Sequence, residues 1–214
     1  MDSFSFFLLL LTLLAFSAVL SSILSAYMEY LYNKNARILS YVSLRRKYEH
    51  RRCYLLTASL FICYMGISMG AANLLLLLLH GVFLTFMLFI TFTDFEQYVI
   101  FDKVLLPLLL LALLFTPFLQ TPLINRLLAA FAGGLLMFLL AVFTRGGIGG
   151  GDIKLIFVLG FWLGTELLYS VLLLGFIAGG IAAVLLLLAK KKNRNDAFAY
   201  GPYFALAALL FFLH

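Results

Sequence analysis

Only nine of the 214 residues are acidic. Asp2, Glu29, Glu49 and Asp196 fall in terminal or basic-loop segments, and Glu166 falls at an expected outer helix end. Solvation accounts for all five. Asp94, Asp102 and Asp152 differ, because each abuts a long apolar run. A carboxylate at the edge of hydrocarbon is costly and marks function by default, against the plainer reading of an interfacial acid reaching the headgroups. Asp152 also follows a glycine-rich run, Arg145-Gly146-Gly147-Ile148-Gly149-Gly150-Gly151, and precedes Ile153-Lys154. Glycine permits positive φ and close approach of a second chain. Its unmet backbone groups are tolerated at membrane depth only when buried in protein or lining an aqueous cavity. An acid just after that run, at the start of a helix, sits where a bound peptide could lie.

Other chemistries find no residues. The run fails the P-loop pattern, and a dinucleotide fingerprint would need glycine in place of Asp152. There is no GxSxG, and His50 and His80 have no plausible serine or cysteine partner nearby in sequence. His80 reads as a buried neutral histidine. Cys53 and Cys63 form no CxxC pair, and with His50, His80 and His214 they assemble no zinc site. No metal and no cofactor is expected. What remains is a pair of carboxylates. Two close aspartates cannot both ionise cheaply, so they share a proton. One is then the base that activates water, and the other the acid that polarises a scissile carbonyl. That is aspartic-protease chemistry.

The elements that must position these acids are membrane helices. Hydrophobic residues make up 65% of the chain and charged residues 11%, against about 45–50% and 25% in soluble domains. This excludes a soluble globular protein, disorder, a collagen-like fibre and a disulfide scaffold. Continuous apolar runs, not alternating ones, argue against a β-barrel. The expected class is an all-α polytopic membrane protein with eight spans. They lie at about 4–26, two within 54–93 with a turn near 70–73, then 104–119, 126–143, 153–169, 170–189 and 198–213.

With both termini outside, the cytoplasmic segments are 27–53, 94–103, 144–154 and 190–196. They hold all the basic residues except Arg126, as the positive-inside rule requires. The basic runs therefore read as topology and lipid contact, not as a nucleic-acid surface. Three GxxxG pairs, Gly66/Gly70, Gly160/Gly164 and Gly175/Gly179, are expected to pack helices closely. Pro107, Pro117 and Pro122 flank or kink the fourth span.

In these motifs the chain resembles the type IV prepilin peptidases. Thr93-Asp94, Asp102, Gly149-Gly150-Gly151-Asp152 and Lys154 match the family pattern in order. Ala199-Tyr200-Gly201-Pro202-Tyr203 resembles the Gly-Pro-aromatic opening of its last span. The resemblance covers about 54–214, taken as the peptidase domain, with 1–53 holding the first span and a short basic loop. It departs at Phe101, where the family usually has proline. Residues 27–53 also lack the two CxxC pairs associated with N-methylation in many members, so a peptidase-only member is expected.

The resemblance implies catalytic Asp94 and Asp152, an active-site loop of Gly147, Gly149, Gly150 and Gly151, and supporting roles for Asp102 and Lys154. It implies a prepilin or pseudopilin substrate, cut at the cytoplasmic face of the inner membrane. Two alternatives stay open. One is a transporter relaying protons through Asp94 and Asp152. The other is a presenilin-like protease, although Phe92-Thr93-Asp94 lacks the tyrosine expected there and no Pro-Ala-Leu motif occurs.

Overall fold

The computed structural model describes residues 3–36, 39, 49–70, 74–119, 121–144, 147–189 and 198–212. Residues 71–73 of the expected turn, Arg145 and Gly146, and the basic run at 190–196 lie outside the described residues. Among the described residues seven helices follow one another: α1 (Ser3–Lys34), α2 (Glu49–Gly70), α3 (Leu74–Gln97), α4 (Asp102–Leu114), α5 (Leu123–Phe143), α6 (Gly150–Leu188) and α7 (Gly201–Phe212). A short 3₁₀ turn, Thr116–Phe118, follows α4. Five of the helices, α1, α2, α3, α5 and α6, are long and apolar enough to cross a membrane, and α7 is a shorter apolar helix. The expected all-α polytopic architecture is what the chain adopts.

α6 has 39 residues, about 58 Å if straight, or nearly twice a hydrocarbon core of about 30 Å. It is not straight. Gly164 has φ 74° and ψ −177°, a region open essentially to glycine alone. In one continuous helix Ile156 and Leu168 would stand about 18 Å apart. Here a Cβ on Gly133 of α5 would meet Leu168 Cδ2 at 2.7 Å and Ile156 Cγ2 at 3.0 Å. The helix therefore folds back at Gly164 into two arms, 150–163 and 165–188. That restores eight rods, with the break at Gly164 and not at the expected 169/170 boundary. The interruption Gly164-Thr165-Glu166 marks the place in the sequence.

The break frees backbone groups, and α5 satisfies them. Thr165 N–H donates to Asn125 Oδ1 at 2.9 Å, and Asn125 Nδ2 donates to Thr165 Oγ1 at 2.9 Å. The Phe161 carbonyl, without its usual partner four residues on, accepts from Arg126 Nε at 2.6 Å. Arg126 Nη2 also donates to the Ala112 carbonyl at 3.1 Å, one of the orphan carbonyls at the end of α4. Arg126 was expected as the one basic residue on the outer side. It is fully buried and joins α4, α5 and α6. Gly164→Ala should thus lower thermal stability in detergent by several degrees. Its Cβ would meet Asn125 Oδ1 at 2.7 Å, on top of about 1–3 kcal/mol of backbone strain. Melting the purified variant beside the parent checks this.

The small-residue pairs divide. Gly160 lies so close to the Ala130 backbone that no Cβ fits. Gly175 receives Phe204 of α7, and Gly179 receives the rings of Tyr203 of α7 and of Tyr200 just before it. Gly66 and Gly70 have nothing within 4 Å, so that pair packs no helix among the described residues. The first span also differs from expectation. α1 runs to Lys34 and α2 starts at Glu49, so much of the expected loop at 27–53 is helix. Ser17, Ser21 and Ser25 form a buried stripe on α1. Ser21 Oγ meets Thr57 Oγ1 of α2 at 2.6 Å.

Candidate active site

α3, α6 and α7 bring three chain ends together. Asp94 lies in the last turn of α3, Asp152 in the first turn of α6, and Gly201 opens α7. The packing of α7 against both α3 and α6 creates this junction. A Cβ placed on Gly201 would stand 2.5 Å from Asp94 Oδ2, 3.1 Å from Asp152 Oδ1 and 2.8 Å from Ile100 Cδ1. Both carboxylates thus converge on one glycine, close enough for a single water to bridge them. Asp94 is 4% exposed and Asp152 6%.

Local sequence explains each placement. Gly149 is the N-cap of α6, with φ −72° and ψ 148°. Asp152 therefore stands at N3, where an acid reaches back to the N-cap N–H as in a capping box. The Gly149 and Gly201 backbone N–H groups both serve its carboxylate. Two helix N-termini, those of α6 and α7, thus face the pair and favour negative charge there. Asp94 sits at the opposite, C-terminal pole of α3. Its carboxylate is also reached by the Gly201 N–H, but Oδ2 is buried with no hydrogen-bond partner among the described residues. α3 stops just beyond it: Tyr98 takes φ 56° and donates its N–H to the Asp94 carbonyl at 2.9 Å.

The glycine loop works differently from expectation. Positive φ would have explained intolerance of alanine at Gly149 and Gly151. Gly164 is the one glycine with positive φ among the described residues. Space is the constraint at Gly151, where a Cβ would come within 3.1 Å of Ile100 Cβ. At Gly149 the nearest atom is Asp152 Oδ2, at 3.4 Å. Gly147 would crowd Thr144, and Gly150 has nothing within 4 Å.

Asp102 and Lys154 also come together, but away from the buried pair. Lys154 Nζ donates to both Asp102 oxygens, at 2.8 and 2.7 Å. Both side chains are exposed, so the bridge adds at most about 1 kcal/mol. It links the starts of α4 and α6. His80 stands away from this junction, its ring against Phe212. Cys53 and Cys63 are free thiols. Among the described residues no three His, Cys, Asp or Glu side chains cluster as metal ligands would.

Sequence reasoning missed a second network behind Asp94. On a helix, positions 94 and 96 point to nearly opposite faces, so Glu96 turns toward α1 and α2. There Arg52 Nη1 bonds Glu96 Oε2 at 3.0 Å, and Tyr32 OH donates to the same oxygen at 3.0 Å. Arg52 Nε donates to Ser25 Oγ at 3.0 Å. Arg52, read from sequence as a topological charge, is 3% exposed. The one available signal was an acid two residues beyond Asp94. Removing one member strands a buried charge, at a cost of about 3–5 kcal/mol. Glu96→Leu should therefore melt well below the parent in detergent. The double variant Arg52→Leu/Glu96→Leu should recover part of that loss.

Residues 81–184 match the Type IV leader peptidase family. The chain is similar to proteins named prepilin leader peptidase/N-methyltransferase. That of Aeromonas salmonicida (strain A449) is 34% identical over 160 residues, 72% of this chain and 54% of the relative. That of Bacillus subtilis (strain 168) is 31% identical over 163 residues, 75% and 64%. That of Neisseria gonorrhoeae is 34% identical over 143 residues, 63% and 48%. The chain spans about half to two thirds of the length of these relatives. No solved structure gives a significant match. The matched region holds Asp94, Asp102, the glycine loop, Asp152 and Lys154, and the chain belongs to the type IV leader peptidase family.

Proposed function

We propose that this chain is a membrane aspartic endopeptidase that removes the basic leader of prepilin- or pseudopilin-like substrates. Cleavage is at the cytoplasmic face of the inner membrane, where the positive-inside count puts the acid pair, the chain ends lying on the other side. The convergence of Asp94 and Asp152 on Gly201 carries this reading. Asp152, served by two backbone N–H groups at a helix N-terminus, is the better seat for the single negative charge. It takes a proton from water as the oxygen attacks the scissile carbonyl carbon. Asp94, holding the shared proton, donates to the carbonyl oxygen. When the tetrahedral intermediate collapses, the C–N bond breaks and a proton passes to the leaving amine.

We assign the hydrolytic half of the relatives' double name, because a dyad hydrolyses and residues 27–53 carry no paired CxxC. Asp102 and Lys154 support the starts of α4 and α6, and Gly147 to Gly151 shape the approach to Asp152. The test is to incubate the purified chain in liposomes with a peptide carrying a basic leader and an apolar helix, then locate the cut by mass spectrometry. One cut just before the apolar helix is expected. An intact peptide, together with proton flux across the liposome membrane, would favour the relay reading of the same two acids.

A further inference from the structure

Resting on that reading, we propose that Ile100 controls access to the acid pair, standing where the scissile peptide must bind. The pair is closed as it stands: Asp94, Asp152 and Gly201 are all buried. Ile100 packs directly against this space. Its Cδ1 lies 2.8 Å from the point at Gly201 that both carboxylates approach, and its Cβ lies 3.1 Å from the corresponding point at Gly151. It thus bridges the openings of α6 and α7 across both acids.

The contact is poorly matched chemically. Asp94 Oδ2, buried and without a hydrogen-bond partner among the described residues, shares this small space with an Ile100 methyl. A methyl cannot satisfy a carboxylate oxygen, whereas a water or a peptide N–H can. An extended substrate segment entering in place of Ile100 would meet both acids and supply that donor.

The segment bearing Ile100 is suited to such displacement. Residues 98–101 are non-helical, strung between the end of α3 and the start of α4. At its head Tyr98 is the one described non-glycine residue with positive φ, a conformation that persists only while its surroundings enforce it. Tyr98 is anchored by its N–H to the Asp94 carbonyl. Swinging the strap outward about Tyr98 would uncover the acids without moving either helix that carries them.

The experiment needs no substrate. The purified protein in detergent is treated with dicyclohexylcarbodiimide, and modification of Asp94 and Asp152 is followed by peptide mass spectrometry. Ile100→Val removes the Cδ1 methyl that stands beside Gly201, and Ile100→Ala removes more. The acids should react faster in Ile100→Val than in the parent. In Ile100→Ala they should react about tenfold faster, equivalent to roughly 1.4 kcal/mol in the closed–open balance. The melting temperatures should stay close to the parent's. Equal labelling rates in parent and variants, or rapid labelling of the parent, would overturn the proposal. If Ile100→Ala fails to fold, Ile100→Val decides it. A chain that labels as expected yet cuts no leader peptide keeps the gate and loses the peptidase reading.

Discussion

Asp94→Asn and Asp152→Asn should each lower leader cleavage by about 10²–10⁴-fold, the scale of general acid–base catalysis. Each protein should still insert and fold. An amide can neither take the proton from water nor hold the proton the pair must share. The substitution is nearly isosteric, which separates chemistry from packing. In Asp152→Asn the amide oxygen can still accept the Gly149 N–H that the native carboxylate takes at the start of α6. In Asp94→Asn the buried Oδ2, which has no described partner, loses no hydrogen bond. Cleavage rates read beside melting temperatures in detergent check both statements. Parent-like activity in either variant would remove that acid from the mechanism.

Gly201→Ala comes next in expected size, with turnover falling about 100-fold, the cost of misplacing reacting groups by an ångström. The new Cβ would lie 2.5 Å from Asp94 Oδ2, 2.8 Å from Ile100 Cδ1 and 3.1 Å from Asp152 Oδ1. None of these is an ordinary contact, so the two carboxylates must separate or α7 must shift. Gly201 has ordinary helical surroundings and takes no positive φ, so the damage comes from occupied space, not backbone strain. The rate should therefore fall much further than the melting temperature. Turnover near that of the parent would show that the pair does not close on this glycine.

The two catalytic candidates were legible because acids are scarce in this chain and conspicuous beside apolar runs. Asp152 follows glycines directly, and Asp94 ends a run with no other acid. The spans were legible for the same reason: long hydrophobic stretches need little three-dimensional information to be read as helices. The exact position of the break in α6 was not, because Gly160 and Gly164 satisfy one packing pattern and both leave no room for a Cβ, while Gly164 alone also takes a positive φ. Spacing cannot say whether a glycine serves close approach or a special backbone angle. The same ambiguity hid that Gly151 is constrained by space beside Ile100 and not by its backbone angle. The burial of Arg52 and Arg126 was not legible because a positive-inside count assigns each cation only to a side, whereas burial with carbonyls or a carboxylate depends on distant residues. Gly201 was visible within its Gly-Pro-aromatic run, but its place between the acids arises from α7 docking on α3 and α6. Ile100 is one apolar residue among many until the chain is folded.

The central claim is that Asp94 and Asp152 act as one unit, and the most direct measurement is single-turnover cleavage by the parent, both single Asn variants and the double variant. Groups that share one proton and one water fail together, so their losses do not multiply. The double variant should be no slower than the slower single one, with all four proteins melting alike. Losses that multiply, or a single variant that cleaves at the parent's rate, would contradict a shared-proton pair at the junction of α3, α6 and α7.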